Sequence, residues 1–95
     1  MTGSTRSSEG LDERRRKMLF RSWHRGIREI DLIMGRFVDA HIGDLTNAEL
    51  DQYQRLLDAQ EHDLLGWVMG QLPVPAEEDT PVFRRMRDFH LKNGR

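Results

Sequence analysis

Between Asp12 and Phe89 the apolar residues recur at three- and four-residue spacing, and no segment alternates as a half-buried strand does. That spacing restricts the chain to helices packed on helices. The longest stripe is Ile27, Ile30, Met34, Phe37 and Val38, which predicts a helix over about 27–40, widened by Leu32 and Ile33. Gly35 within it costs about 1 kcal/mol of helix propensity, so it predicts the close approach of a neighbour. The sharpest boundary is "LTNAEL": Thr46 suits the N-cap, Glu49 the N3 position of a capping box, and Leu45 and Leu50 the staple around them. Leu50, Tyr53, Leu56 and Leu57 carry that helix to about Ala59.

Three more helices complete the pattern. The first spans about 12–24, with Asp12 as N-cap and Leu11, Met18, Leu19 and Ser22 or Trp23 facing inward. A short one runs from His62 or Asp63 to Gly70, a natural stop. "LPVPAEED" reads as a linker because Pro73 and Pro75 exclude regular helix. The last starts at Thr80 with Pro81 in its first position and turns Val82, Phe83, Met86 and Phe89 inward. The expectation is an all-α fold, a small five-helix bundle. One helical domain over 11–92 follows a disordered tail, 1–10, and precedes a frayed end, 93–95.

With no cysteine in 95 residues, a disulfide framework and thiolate chemistry are excluded. No apolar run reaches the roughly 18–20 residues of a membrane span, and "MTGSTRSSEG" lacks the apolar core of a secretory signal. The cytoplasm of a bacterium is the simplest expectation. The net charge of −1 conceals a block pattern. Residues 1–28 hold eight arginines and lysines against three carboxylates, residues 29–79 two against twelve, and residues 80–95 five against one. Such blocks steer association without specifying a fold.

Catalytic patterns are missing. His24, His41, His62 and His90 lie far apart without metal-ligand spacing, and one pair, Asp58 with His62, falls short of the four ligands zinc takes. There is no nucleophile elbow and no phosphate-cradling glycine loop. An enzyme is not expected. "RRRK" at Arg14–Lys17, continued by Arg21, Arg25 and Arg28, makes a nucleic-acid-binding or antitoxin-like module the alternative from another class. The sequence pI near 6.4 and the acidic middle favour a basic protein-interaction helix instead.

One stretch, "SWHRGIREID", remains. Gly26 suits either the C′ position of the first helix or the N-cap of the second, with Glu29 at N3 reaching back to its amide. Arg25 and Glu29, four apart, also suit an ion pair worth about 0.2–0.5 kcal/mol. The same residues equally suit a docking patch, in which Gly26 bares the backbone between a donor fork and a carboxylate. Local physics leaves both readings open.

Arg25-Gly26-Ile27-Arg28-Glu29 resembles the RGxxE motif of the succinate dehydrogenase assembly factor family, and the wider pattern resembles it too. "HRGIREIDLIMGRF", "LTNAELDQYQRLLD" and "HDLLGWVMG", the last through Asp63, Leu64 and Trp67, stand in the family's order and spacing over about 14–90. Two positions depart: His24 where many members have a basic residue, and His62 where members often have proline. The resemblance implies a five-helix, non-catalytic partner of the flavoprotein subunit of succinate dehydrogenase, and in some bacteria of fumarate reductase. It implies that the chain promotes covalent attachment of FAD to a histidine of that subunit, with no tightly bound cofactor of its own. The motif roles fall on Arg25, Gly26 and Glu29, and proximity adds His24, Ile27 and Arg28. The expected form is a monomer without nucleic-acid or membrane partners, placed in the mitochondrial matrix if the source is eukaryotic.

Overall fold

A computed structural model describes residues 9–93. Five α-helices follow one another: α1 Glu13–Ser22, α2 Arg28–His41, α3 Asn47–Asp58, α4 Glu61–Val68 and α5 Pro81–Asn93. The proline-containing linker carries a single 3-10 turn at Ala76–Glu78. The expected tail falls largely on residues 1–8, outside the described residues, as do 94–95 of the expected frayed end.

Side-chain caps set the helix starts. Asp12 accepts the Arg15 amide at 3.0 Å and Thr80 accepts the Phe83 amide at 3.2 Å. The capping box is complete: Thr46 Oγ1 accepts the Glu49 amide at 3.2 Å, and Glu49 Oε1 accepts the Thr46 amide at 2.8 Å. Leu45 and Leu50 beside it are buried. At the end of α4, Gly70 takes φ +74°. The Gln71 amide then reaches the Gly66 carbonyl at 2.8 Å and the Gly70 amide reaches the Trp67 carbonyl at 3.4 Å. These two bonds make a Schellman stop, which only a residue tolerant of positive φ supplies cheaply.

α2 lies at the centre, packed by α1, α4 and α5, while α3 closes against α1 and α5. Its Ile30, Met34, Phe37 and Val38 are fully buried, in one cluster with Met18 and Leu19 of α1, Tyr53 and Leu56 of α3, Leu64 of α4, and Val82, Phe83 and Met86 of α5. A buried polar pair threads this core. Ser22 Oγ donates to the Met18 carbonyl at 2.7 Å, and a hydroxyl has one proton, so the oxygen accepts from the Tyr53 hydroxyl. Burial pushes the Tyr53 phenol well above its ordinary value.

Two of the boundaries that differ from the sequence reading bear on the site. α1 ends at Ser22 rather than His24, because Trp23 turns inward as C-cap and its indole N–H donates to Asp39 Oδ1 at 3.1 Å. α2 starts at Arg28, with Ile27 as an extended N-cap, so Ile27 leaves the buried stripe and stays half-buried. Gly35 has the neighbour its position predicted. A Cβ there would stand 2.4 Å from the Trp23 ring.

Gly35→Ala should therefore lower stability by about 1–3 kcal/mol through overpacking, despite the better helix propensity of alanine. Urea unfolding followed by circular dichroism measures this. A gain in stability would show that the Trp23 ring moves aside freely.

Candidate functional site

α3 ends without a glycine. Its C-cap, Ala59, is extended at φ −72° and ψ 154°, so no left-handed turn satisfies the last carbonyls. Donors come instead from the corner between α1 and α2. The Arg25 side chain, 7% exposed, reaches into the α3–α4 junction. Its Nη1 donates to the carbonyls of Leu57 and, at 3.4 Å, of Leu56; its Nη2 donates to the Ala59 carbonyl at 2.8 Å and stands 3.7 Å from Glu61 Oε2. Arg21 adds Nη2 bonds of 3.3 Å to the Leu57 carbonyl and to Asp58. A guanidinium suits this place because its donors fork and the helix dipole leaves the carbonyl end negative.

This corrects two sequence expectations. Arg25 pairs with Glu61 rather than Glu29, and its fork points into the fold rather than outward. The tertiary partners win because three carbonyls and a carboxylate outweigh one exposed i,i+4 pair.

Gly26 is neither the C′ residue of α1 nor the N-cap of α2. It lies in the loop at φ +100°, where an added Cβ meets nothing within 4 Å. The need for glycine is therefore conformational, and the space above it is open to a partner. Glu29 is the second residue of α2, not its N3, and does not reach back to Gly26. Asp31 does the reaching, accepting the Arg25 amide on Oδ1 at 2.7 Å. Among the described residues Glu29 is exposed and has no hydrogen-bond or ion-pair partner.

The structure thus brings Gly26, Ile27, Arg28 and Glu29 together on one accessible corner. His24 is exposed on the α1 side, stacked on Phe20 with ring centroids 4.0 Å apart, its Nδ1–H donated to the Phe20 carbonyl at 2.7 Å. Arg25 alone of the six expected site residues has its functional group buried. Two hollows adjoin the corner. His24 and Arg25 line a polar one of about 510 Å³ with Asp58 and Glu61, and Ile27 and Glu29 line an apolar one of about 580 Å³ with Leu65 and Met69. Asp31, Glu61, Leu65 and Met69 escaped the sequence reading. For Asp31 a signal existed, an acid in the first turn of α2.

The basic run of α1 is committed to the fold. Arg14 pairs with Asp51 at 2.6 Å, and Arg15 donates to the carbonyls of Ile42, at 2.9 Å, and Leu45. Arg16 donates to the Leu11 carbonyl at 2.6 Å, and Lys17 pairs with Glu13 at 3.1 Å. Each of these cations has a partner within the fold, which weakens the reading of this run as a free phosphate-binding surface.

The family model described as flavinator of succinate dehydrogenase matches residues 16–90. The FAD assembly factor SdhE of Acetobacter pasteurianus is 37% identical over 89 residues, covering 93% of this chain and 82% of the relative. The mitochondrial succinate dehydrogenase assembly factor 2 of Candida glabrata is 33% identical over 88 residues, and that of Dictyostelium discoideum 34% over 83. The match covers 88% and 87% of this chain but 58% of each mitochondrial relative, so the chain spans little more than half their length.

Arg25→Met should cost about 2–3 kcal/mol, because it takes the donor from the Ala59 carbonyl and leaves only the longer Arg21 contact at the end of α3. The urea midpoint reads this directly. A loss below about 0.5 kcal/mol, the level of an ordinary surface substitution, would show that water replaces the guanidinium without penalty.

Proposed function

Because the chain belongs to the family of succinate dehydrogenase flavinators, we propose that it binds the flavoprotein subunit of that enzyme and promotes covalent attachment of FAD to it. The observation that carries this reading is the family match over 16–90, a span that includes α2, α3, α4 and the Gly26 corner entire.

The corner has the properties a docking surface needs. Gly26 presents bare backbone, Ile27 a half-buried aliphatic side chain, and Arg28 and Glu29 one exposed charge of each sign. His24 with Phe20 extends it along α1. Arg25 contributes from beneath, holding the loop on the α3–α4 junction so that the corner keeps one shape. A rigid surface of this kind loses little freedom on binding.

The chain acts without chemistry of its own. The histidine and the FAD belong to the flavoprotein, and binding energy favours the arrangement of that subunit in which the two approach within reacting distance. The chain holds no cofactor tightly, works as a monomer, and leaves once the bond is made, which calls for an interface of the transient class. Fumarate reductase flavoprotein is a second client by the same contact. The setting is the bacterial cytoplasm, or the mitochondrial matrix for a eukaryotic source.

Co-expression with the cognate flavoprotein tests this, read as flavin fluorescence retained on a denaturing gel. Glu29→Ala and Gly26→Arg should lower the covalent signal roughly tenfold, as loss of an interface anchor does. Gly26→Ala carries only the backbone strain of about 1–2 kcal/mol and should lose less than Gly26→Arg. Wild-type signal in both Glu29→Ala and Gly26→Arg would overturn the docking role of the corner. Equal losses in the two Gly26 variants would assign its part to backbone conformation alone.

A further inference from the structure

Ile27 stands at the lip of the 580 Å³ hollow, whose apolar walls are Leu32 of α2, Leu65 of α4 and Met69 at its end. None of these four is fully buried, and Met69 is 51% exposed. Among the described residues, Glu29 is the one carboxylate lining this groove, and no arginine or lysine lines it. Its carboxylate has no partner within the described chain.

We infer that this groove receives an apolar segment of the flavoprotein subunit that carries a lysine or arginine for Glu29, an inference that rests on the flavoprotein reading above. Continuity supports it, because Ile27 and Glu29 belong both to the exposed corner and to the groove, so a partner laid over Gly26 runs on into it. Charge complementarity supports it as well. A mainly apolar trough whose polar lining is the unpaired Glu29 carboxylate, the Gln71 amide and the imidazoles of His62 and His90 carries its one fixed charge at Glu29, and so selects an occupant that is apolar with one cation. The groove is also held open in advance. Arg25 ties the α1–α2 corner to Ala59 and Glu61, at the entry to α4, so the two walls keep a fixed separation before any partner arrives. A second copy of this chain is a poor occupant. A two-fold contact between these grooves would set two copies of Glu29 close together, with no arginine or lysine and only the imidazoles of His62 and His90 in either lining to offset them.

The test uses purified flavoprotein subunit and the full chain, with affinity from titration calorimetry and folding from a circular dichroism melt. Met69→Glu should weaken binding about tenfold or more, the effect of charging an apolar contact at the middle of an interface, with the melt near wild type. Glu29→Gln should weaken binding too, and should flatten its dependence on salt. If Met69→Glu lowers the melt, Met69→Gln, with no added charge, carries the same test. Binding of Met69→Glu within about twofold of wild type, while Gly26→Arg fails, would overturn the groove and leave the flavoprotein reading in place. Loss of self-association by Met69→Glu in sedimentation, with flavoprotein affinity unchanged, would assign the groove to a second copy and overturn the inference. Absence of binding by the wild-type chain would remove the flavoprotein reading, and this inference with it.

Discussion

The guanidinium of Arg25 closes the end of α3, and the geometry of the whole accessible corner follows from that contact. A helix that stops on an extended residue keeps only one local donor, here the Ala59 amide on the Leu56 carbonyl, and leaves the later carbonyls without one. Α donor must then come from elsewhere in the fold, and here it crosses from a loop more than thirty residues away in sequence. The residue after Arg25 takes φ +100°, a conformation that glycine adopts without strain. The Asp31 carboxylate locks the turn from the other side by taking the Arg25 amide. Glu29 is left with nothing to bond inside the fold and faces out.

The block charge pattern finds its purpose in the same kind of contact. Arg14 to Asp51, Arg21 to Asp58 and Arg25 to Glu61 each join the basic first quarter to the acidic middle, and Arg85 to Glu49 joins the basic end to it. Exposed pairs of this kind add little stability singly. Their alignment along α1 and α3 does favour one register between those helices over others. The carbonyl contacts of Arg15 and Arg25 matter more, because they satisfy backbone groups that would otherwise stay unpaired. A chain whose charges were read for steering a distant partner spends three of its arginines, Arg15, Arg21 and Arg25, on the carbonyls where its own helices end.

What was legible in the sequence is what local spacing encodes. The α2 stripe, the capping box at Thr46 and the stop at Gly70 each depend on residues within one helix or one turn, and Gly35 marks a close approach without naming the neighbour, Trp23, that makes it. Arg25 was misread for the opposite reason. Its spacing to Glu29 is visible, whereas the carbonyls that win it lie across the fold and are the same in every sequence, so no side chain announces them. The role of Asp31 was hidden because one of the two places open to Gly26, the N-cap of α2, put the helix start a residue early and made Glu29 look like the residue that reaches back. The apolar groove was illegible because Leu65 and Met69 face Ile27 only after α4 is docked, and helical periodicity alone marks such residues as core.

The stretch from Arg25 to Glu29 therefore divides its labour among three different physical roles. Arg25 is structural, Gly26 is conformational and open, and Glu29 is exposed with no partner among the described residues. A factor that acts only by binding can shift its client's arrangement by no more than its differential affinity for the two states. Flexibility in the docking corner would spend part of that affinity on ordering the corner itself. Burying the arginine beneath the loop avoids this loss, since the charge that looks most suited to a partner instead fixes the shape the partner meets.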